Sequence, residues 1–200
     1  MRVLIIADSH GYGIAAGMVK ENDSVVVKVV SVGSIMSDVW SEYLTQRDML
    51  QDFRPDHVYL HVGHNDLMWH PRHNRSPKHP KLVLSIIMGY EMRLREDFPG
   101  RRVWVSNPFP RSVSPPMTLS QKTDYNKMIF EMGSTMKAEF PARGIDFRLN
   151  TGLWFRPSQG REHPIYLRPD GIHLSIMGCT KVAVGWLKPI TDETHHGVKE

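Results

Sequence analysis

Apolar residues along the chain fall into short, nearly continuous runs, separated by longer stretches in which they recur every three or four positions. Val3–Ala7 (VLIIA), Ser24–Val30 (SVVVKVV), Val58–Val62 (VYLHV), Arg102–Ser106 (RVWVS) and Ile145–Phe147 read as strands. Runs of branched residues without polar alternation mark strands covered on both faces, as in a parallel sheet. The periodic stretches between them predict helices over Gly13–Val19, from Ser37 or Asp38 as cap to about Leu50, over Leu82–Phe98, over Thr118–Phe140 and over Ser175–Leu187. Val39, Trp40, Tyr43 and Leu44 form the apolar stripe of the second helix, and Leu82, Ile86, Ile87, Tyr90 and Leu94 that of the third.

Strands that alternate with helices predict an α/β fold, a five-stranded parallel sheet with helices on both faces in a three-layer αβα sandwich. No internal repeat or linker divides the chain, so residues 1–190 are expected to form a single domain and residues 191–200 a flexible tail. Three loops are long and lack periodicity: the His- and Pro-rich 68–81, the Pro-rich 107–117 and the aromatic 148–169.

Composition narrows the setting. With 200 residues and 40% hydrophobic content the chain can bury a core without disulfides or structural metal, and Cys179 has no cysteine to pair with. The net charge of +4 is spread along the chain, so nucleic-acid binding is permitted but no basic cluster supports it. The apolar run Val3–Ala7 is too short for a secretory signal, and none approaches the ~20 residues that span a bilayer. These features set the expectation of a cytoplasmic protein. Nothing in them bears on oligomeric state.

Candidate chemistry follows from topology. In a parallel sheet every loop after a strand emerges at the same edge. That edge collects Asp8-Ser9-His10-Gly11, Gly33, Gly63-His64-Asn65-Asp66 and, before the last helix, Asp170-Gly171-Ile172-His173. Acyl transfer by serine needs a nucleophile, a base, a carboxylate that orients the base, and donors for the oxyanion. Ser9 can be the nucleophile. Asp170 and His173, three apart around a glycine, can place carboxylate and imidazole on one side of a turn, with the free ring nitrogen toward Ser9. The N–H groups of Ser9 and Gly33 and the amide of Asn65 can form the oxyanion hole, and none of this needs a cofactor.

These four blocks, in this order over residues 3–187, resemble the SGNH (GDSL-type) hydrolase superfamily. The one departure is Ala7, where the superfamily usually has glycine before Asp-Ser. The resemblance implies a flavodoxin-like fold and hydrolysis of a small-molecule or lipid acyl ester, as by a carboxylesterase, acetylesterase or lipase. It assigns Ser9 as nucleophile, Asp170 and His173 as its triad partners, and Gly33 and Asn65 as oxyanion donors. Leu167–Ser175 is similar, more narrowly, to esterase domains encoded by some animal retrotransposons.

Around this set, Asp8 and Asp66 fit a role in bonding the backbone of their turns. Asp8, His10, His64, Trp154 and Tyr166 are expected near the substrate, with Trp154, Phe155 and Tyr166 suited equally to covering the sheet. The histidines at 57, 61, 64, 70, 73 and 79 raise a metal hypothesis, but no acidic group joins them at ligand spacing. The expectation is a solvated His-rich segment with no metal. Two alternatives stand beside the esterase. One is a metal-dependent phosphoesterase, since Asp8-x-His10-Gly11 resembles the opening motif of calcineurin-like phosphatases. The other is a catalytically silent domain of this fold that binds RNA or protein.

Overall fold

The computed structural model describes residues 1–68, 76–111, 118–150, 154–156, 161–162 and 164–196. Its elements run β1 (Arg2–Ala7), α1 (Gly11–Glu21), β2 (Val26–Ser31), α2 (Met36–Phe53), β3 (His57–His61), α3 (Pro80–Asp97), β4 (Arg102–Ser106), α4 (Leu119–Glu139), β5 (Asp146–Arg148), β6 (Trp154–Arg156), β7 (Arg161–Glu162) and α5 (Ile176–His196). β1 to β5 form one sheet in the order β2-β1-β3-β4-β5, and every pairing in it is parallel. Ala7 stands level with Ser31 on one side and His61 on the other, so the chain leaves β1, β2 and β3 at one height. The direction of winding reverses between β1 and β3, and in open α/β sheets ligands bind outside the carboxyl ends of the strands at such a switch point.

Strand alternation divides the core in two. Leu4, Ile6, Val30, Val58, Leu60, Val103 and Val105 face residues of α2, α3 and α4. Val3, Ile5, Ala7, Tyr59 and Trp104 face α1 and α5. Burial of a large apolar side chain contributes about 1.5–3 kcal/mol, so both layers are needed to fix the sheet. On the second face Trp186 of α5 stacks on Tyr59, 4.6 Å between ring centroids, and its carbonyl accepts a 2.6 Å hydrogen bond from the Tyr59 hydroxyl. At Gly17 a Cβ would lie 3.0 Å from the Ala183 Cβ and 3.1 Å from the Cys179 carbonyl, so a glycine there lets α1 and α5 approach backbone to backbone.

Three expectations change. The second helix begins at Met36, where its cap comes from a distant loop: buried Asp66 accepts the Met36 N–H at 2.8 Å through Oδ2 and holds Lys78 Nζ at 2.5 Å through Oδ1. A local cap at Ser37 or Asp38 is thus unnecessary, because a carboxylate from the β3 loop satisfies the helix's first donor. The segment 148–169 is not wholly loop, since β6 and β7 pair antiparallel within it; runs of three and two residues are too short for periodicity to register. The last helix continues to His196, past the expected domain end at 190. Asp66→Ala is expected to cost about 1–3 kcal/mol by leaving the Met36 N–H and Lys78 without their acceptor, read as a lower urea midpoint at unchanged m-value.

Candidate active site

The turn after β1 puts Ser9 on the surface while its neighbours Asp8 and His10 point inward. Gly33 lies beside this turn, where an added Cβ would be 3.9 Å from the Ser9 Cβ. Asn65, half-buried after β3, donates from Nδ2 to the Ser34 carbonyl at 2.8 Å, while Arg111 Nη2 approaches its Oδ1 at 3.5 Å. These contacts fix which way the amide points. One of the two Nδ2 hydrogens is engaged by Ser34, and the second can serve another acceptor.

Asp170 and His173 sit in a tight turn closed by an antiparallel bridge between Leu167 and Leu174 and by the Arg168 N–H donating to the His173 carbonyl at 2.8 Å. Gly171 takes φ of +64°, a conformation a side chain would strain. Asp170 Oδ1 accepts the N–H groups of Ile172 and His173 at 2.8 and 2.9 Å, leaving Oδ2 to meet His173 Nδ1 at 2.9 Å. Partial burial raises the Asp170 pKa, but these hydrogen bonds outweigh it and bring the group down to about 2.

Beneath Ser9 the structure assembles something the linear pattern did not show. Asp8, His10, His61 and His64 are 1, 4, 0 and 1% exposed, and one ligand-type atom from each lies within 4.8 Å of the others. His10 Nδ1 meets Asp8 Oδ1 at 2.7 Å, and His10 Nε2 meets the Ile172 carbonyl at 3.2 Å, so this ring ties the Ser9 turn to the His173 turn. The His10 and His173 rings lie 5.6 Å apart. His64 Nδ1 is 2.5 Å from Asp8 Oδ2, and its Nε2 accepts the Phe109 N–H at 2.8 Å. His61 Nδ1 meets Ser106 Oγ at 2.5 Å, while its Nε2 has no hydrogen-bond partner among the described residues.

Burial pulls the Asp8 pKa up, but the fields and N–H groups of His64 and His10 prevail and hold the carboxyl well below the usual carboxylate range. Burial lowers His64 to about 4 despite the Asp8 carboxylate, and burial beside His64 drives His61 well below the usual imidazole value.

Asp8, His10 and His64 therefore lie under the surface and contact one another, not the space a substrate would occupy. Tyr166 packs partly buried against the α1 and α5 core. The side chains of Trp154 and Phe155, together with His70 and His73, fall outside the described residues. The solvated His-rich segment gives way at His61 and His64, which are interior, whereas His79 is exposed and accepts the Lys81 N–H at the start of α3. The acidic partner missing from their spacing is Asp8, delivered by the neighbouring strand. The sequence missed Ser106, Phe109 and Arg111; the one signal for Arg111 was a lone cation closing the Pro-rich Asn107–Pro110 run.

Comparison with protein-family models finds no match, and neither does comparison with curated proteins. Comparison with solved structures finds extended likeness. A GDSL-like lipase from Bacteroides thetaiotaomicron superposes with a TM-score of 0.70 at 16% identity, over 96% of this chain and 88% of that one. A carbohydrate acetylesterase from Sinorhizobium meliloti gives 0.67 at 16% identity, over 96% and 98%. A lipase/acylhydrolase from Enterococcus faecalis gives 0.64 at 15% identity, over 96% of each. The narrower likeness to retrotransposon-encoded esterases is not shown.

Asp8→Asn is expected to destabilise the fold by about 3–5 kcal/mol, because it leaves two buried imidazoles facing an amide in place of a carboxylate; urea unfolding measures it. With its five-stranded parallel sheet between two helical layers, and superposing on these neighbours over nearly its whole length, the chain has the SGNH (GDSL-type) hydrolase fold.

Proposed function

We propose that the protein is a serine ester hydrolase acting on carboxylic acyl esters. The observation that carries this reading is the Asp170–His173 pair at the sheet edge, its turn bonded through Ile172 to the His10 that follows Ser9. His173 Nε2 takes the Ser9 proton as Oγ attacks the acyl carbon, and the oxyanion is received by the N–H groups of Ser9 and Gly33 and the second Nδ2 hydrogen of Asn65. His173 then gives its proton to the departing alkoxide. Water, deprotonated by the same nitrogen, releases the acid and restores Ser9. Asp170 fixes the ring with Nδ1–H toward itself and stabilises the imidazolium formed at each step.

The structural neighbours described as lipase, acylhydrolase and carbohydrate acetylesterase share the acyl ester as substrate class, which supports the reading. The size of the acyl and alcohol groups is set at loops 68–81, 107–117 and 148–169. No described helix is long and apolar enough to cross a membrane.

Ser9→Ala and His173→Ala are each expected to abolish p-nitrophenyl acetate turnover in chelator-treated protein, with Ser9→Ala also losing fluorophosphonate labelling. Unchanged turnover in either variant overturns the mechanism. Asn65→Ala is expected to lower kcat by about 10²–10³-fold and Asp170→Asn by about 10²–10⁴-fold.

Because the Asp170 pKa is depressed to about 2, its ionised form stabilises the fold above the ordinary carboxylate range, and that contribution is lost as pH falls through about 2. It follows that protonation of Asp170 should leave kcat/KM unaffected above about pH 4; an acid-side loss above that pH that disappears in Asp170→Asn would place Asp170 outside this role.

A further inference from the structure

We propose that Asp8, His10 and His61 form a buried binding site for one divalent transition-metal ion, best matched to zinc, with His64 orienting the carboxylate. The inference is independent of the ester-hydrolase reading and assigns the ion no step in it.

Each ring gives one nitrogen to its surroundings and turns the other toward Asp8 or toward no partner. The Ile172 carbonyl can only accept, so His10 donates to it from Nε2, while Nδ1 shares one proton with Asp8 Oδ1 at 2.7 Å, the position an ion would take. His61 shares Nδ1 with Ser106 Oγ, and its Nε2, fully buried, has no hydrogen-bond partner among the described residues. His64 differs. The Phe109 N–H occupies its Nε2 lone pair, so the neutral ring carries its proton on Nδ1, beside Asp8 Oδ2 at 2.5 Å. His64 is thus an orienter of the carboxylate rather than a ligand.

Two imidazoles and a carboxylate, each ligating ring held by a hydrogen bond from its far nitrogen and the carboxylate held by a third imidazole, make the ligand set and outer shell of a mononuclear zinc site. One ligand-type atom from each of the four residues lies within 4.8 Å of the rest, a span an ion can close by small side-chain shifts. Uptake replaces the proton held between His10 Nδ1 and Asp8 Oδ1, which leaves to solvent. A single centre of this kind is unlike the bridged ion pair of calcineurin-like phosphatases.

The test is titration of the chelator-stripped full chain with zinc chloride by calorimetry, and with cobalt(II) by visible absorption. One ion per chain is expected, with cobalt ligand-field bands and a rise in Tm. His61→Asn keeps a hydrogen-bonding group toward Ser106 but lacks Nε2, and should weaken binding by more than tenfold. Ser106→Ala, which frees the His61 ring, should weaken it about 10–100-fold and serves if His61→Asn does not fold. Ser9→Ala, His173→Ala and a His195→Gln/His196→Gln variant should bind zinc as the wild type does, so loss of turnover in the first two leaves this result unaffected. No uptake by the wild type at ~100 µM zinc, wild-type affinity in both His61→Asn and Ser106→Ala, or loss of binding in His173→Ala or the terminal histidine variant overturns the proposal.

Discussion

A carboxylate almost wholly removed from water, held by two imidazoles one residue beneath an exposed serine, is the constraint on which this edge of the sheet rests. Asp8 cannot be buried as an isolated charge; the desolvation cost would exceed any packing gain. Its neutralisation requires His10, from its own turn, and His64, from the loop after β3. Each of those rings has a second obligation, His10 to the Ile172 carbonyl and His64 to the Phe109 N–H. One buried negative charge thereby couples the loops after β1, β3 and β4 to the turn before α5. Networks of this kind rigidify when every member is satisfied.

The division of labour between the two Asp–His pairs follows from solvent. Asp170 and His173 are each about two-fifths exposed at the side chain, with the carboxylate stabilised mainly by backbone N–H groups. That suits the role of base proposed for His173, which requires access to substrate and proton exchange with water. Asp8 and His10, at 2% side-chain exposure, are sheltered from both. The buried pair supports geometry, and the exposed pair is free to cycle.

Much of this was legible in the sequence where local physics decides. Val3–Ala7 and Arg102–Ser106 are apolar on both faces, so their strands and the parallel sheet could be read directly, and the turn at Gly171 follows from its φ requirement. The sequence was opaque wherever a partner arrives from another element. Met36 begins a helix because of Asp66, thirty residues later. His61 and His64 looked like members of a polar, His-rich tract because the residue that explains them, Asp8, lies two loops earlier in the chain. Residue spacing could place these side chains at one edge, but not decide which faced water and which faced each other.

The close approach of α1 and α5 at Gly17 has a consequence for how the separation of Ser9 and His173, the proposed nucleophile and base, is set. α1 begins directly after the Ser9 turn and α5 directly after the His173 turn, and the two helices meet with almost no side-chain padding between Gly17, Cys179 and Ala183. The serine-to-histidine separation is therefore a rigid-body coordinate of two helices pressed together, like the jaw opening of a caliper. On the proposed esterase reading, loops around the site could change in length and composition to admit different esters while that opening stays fixed by a contact more than one helical turn away.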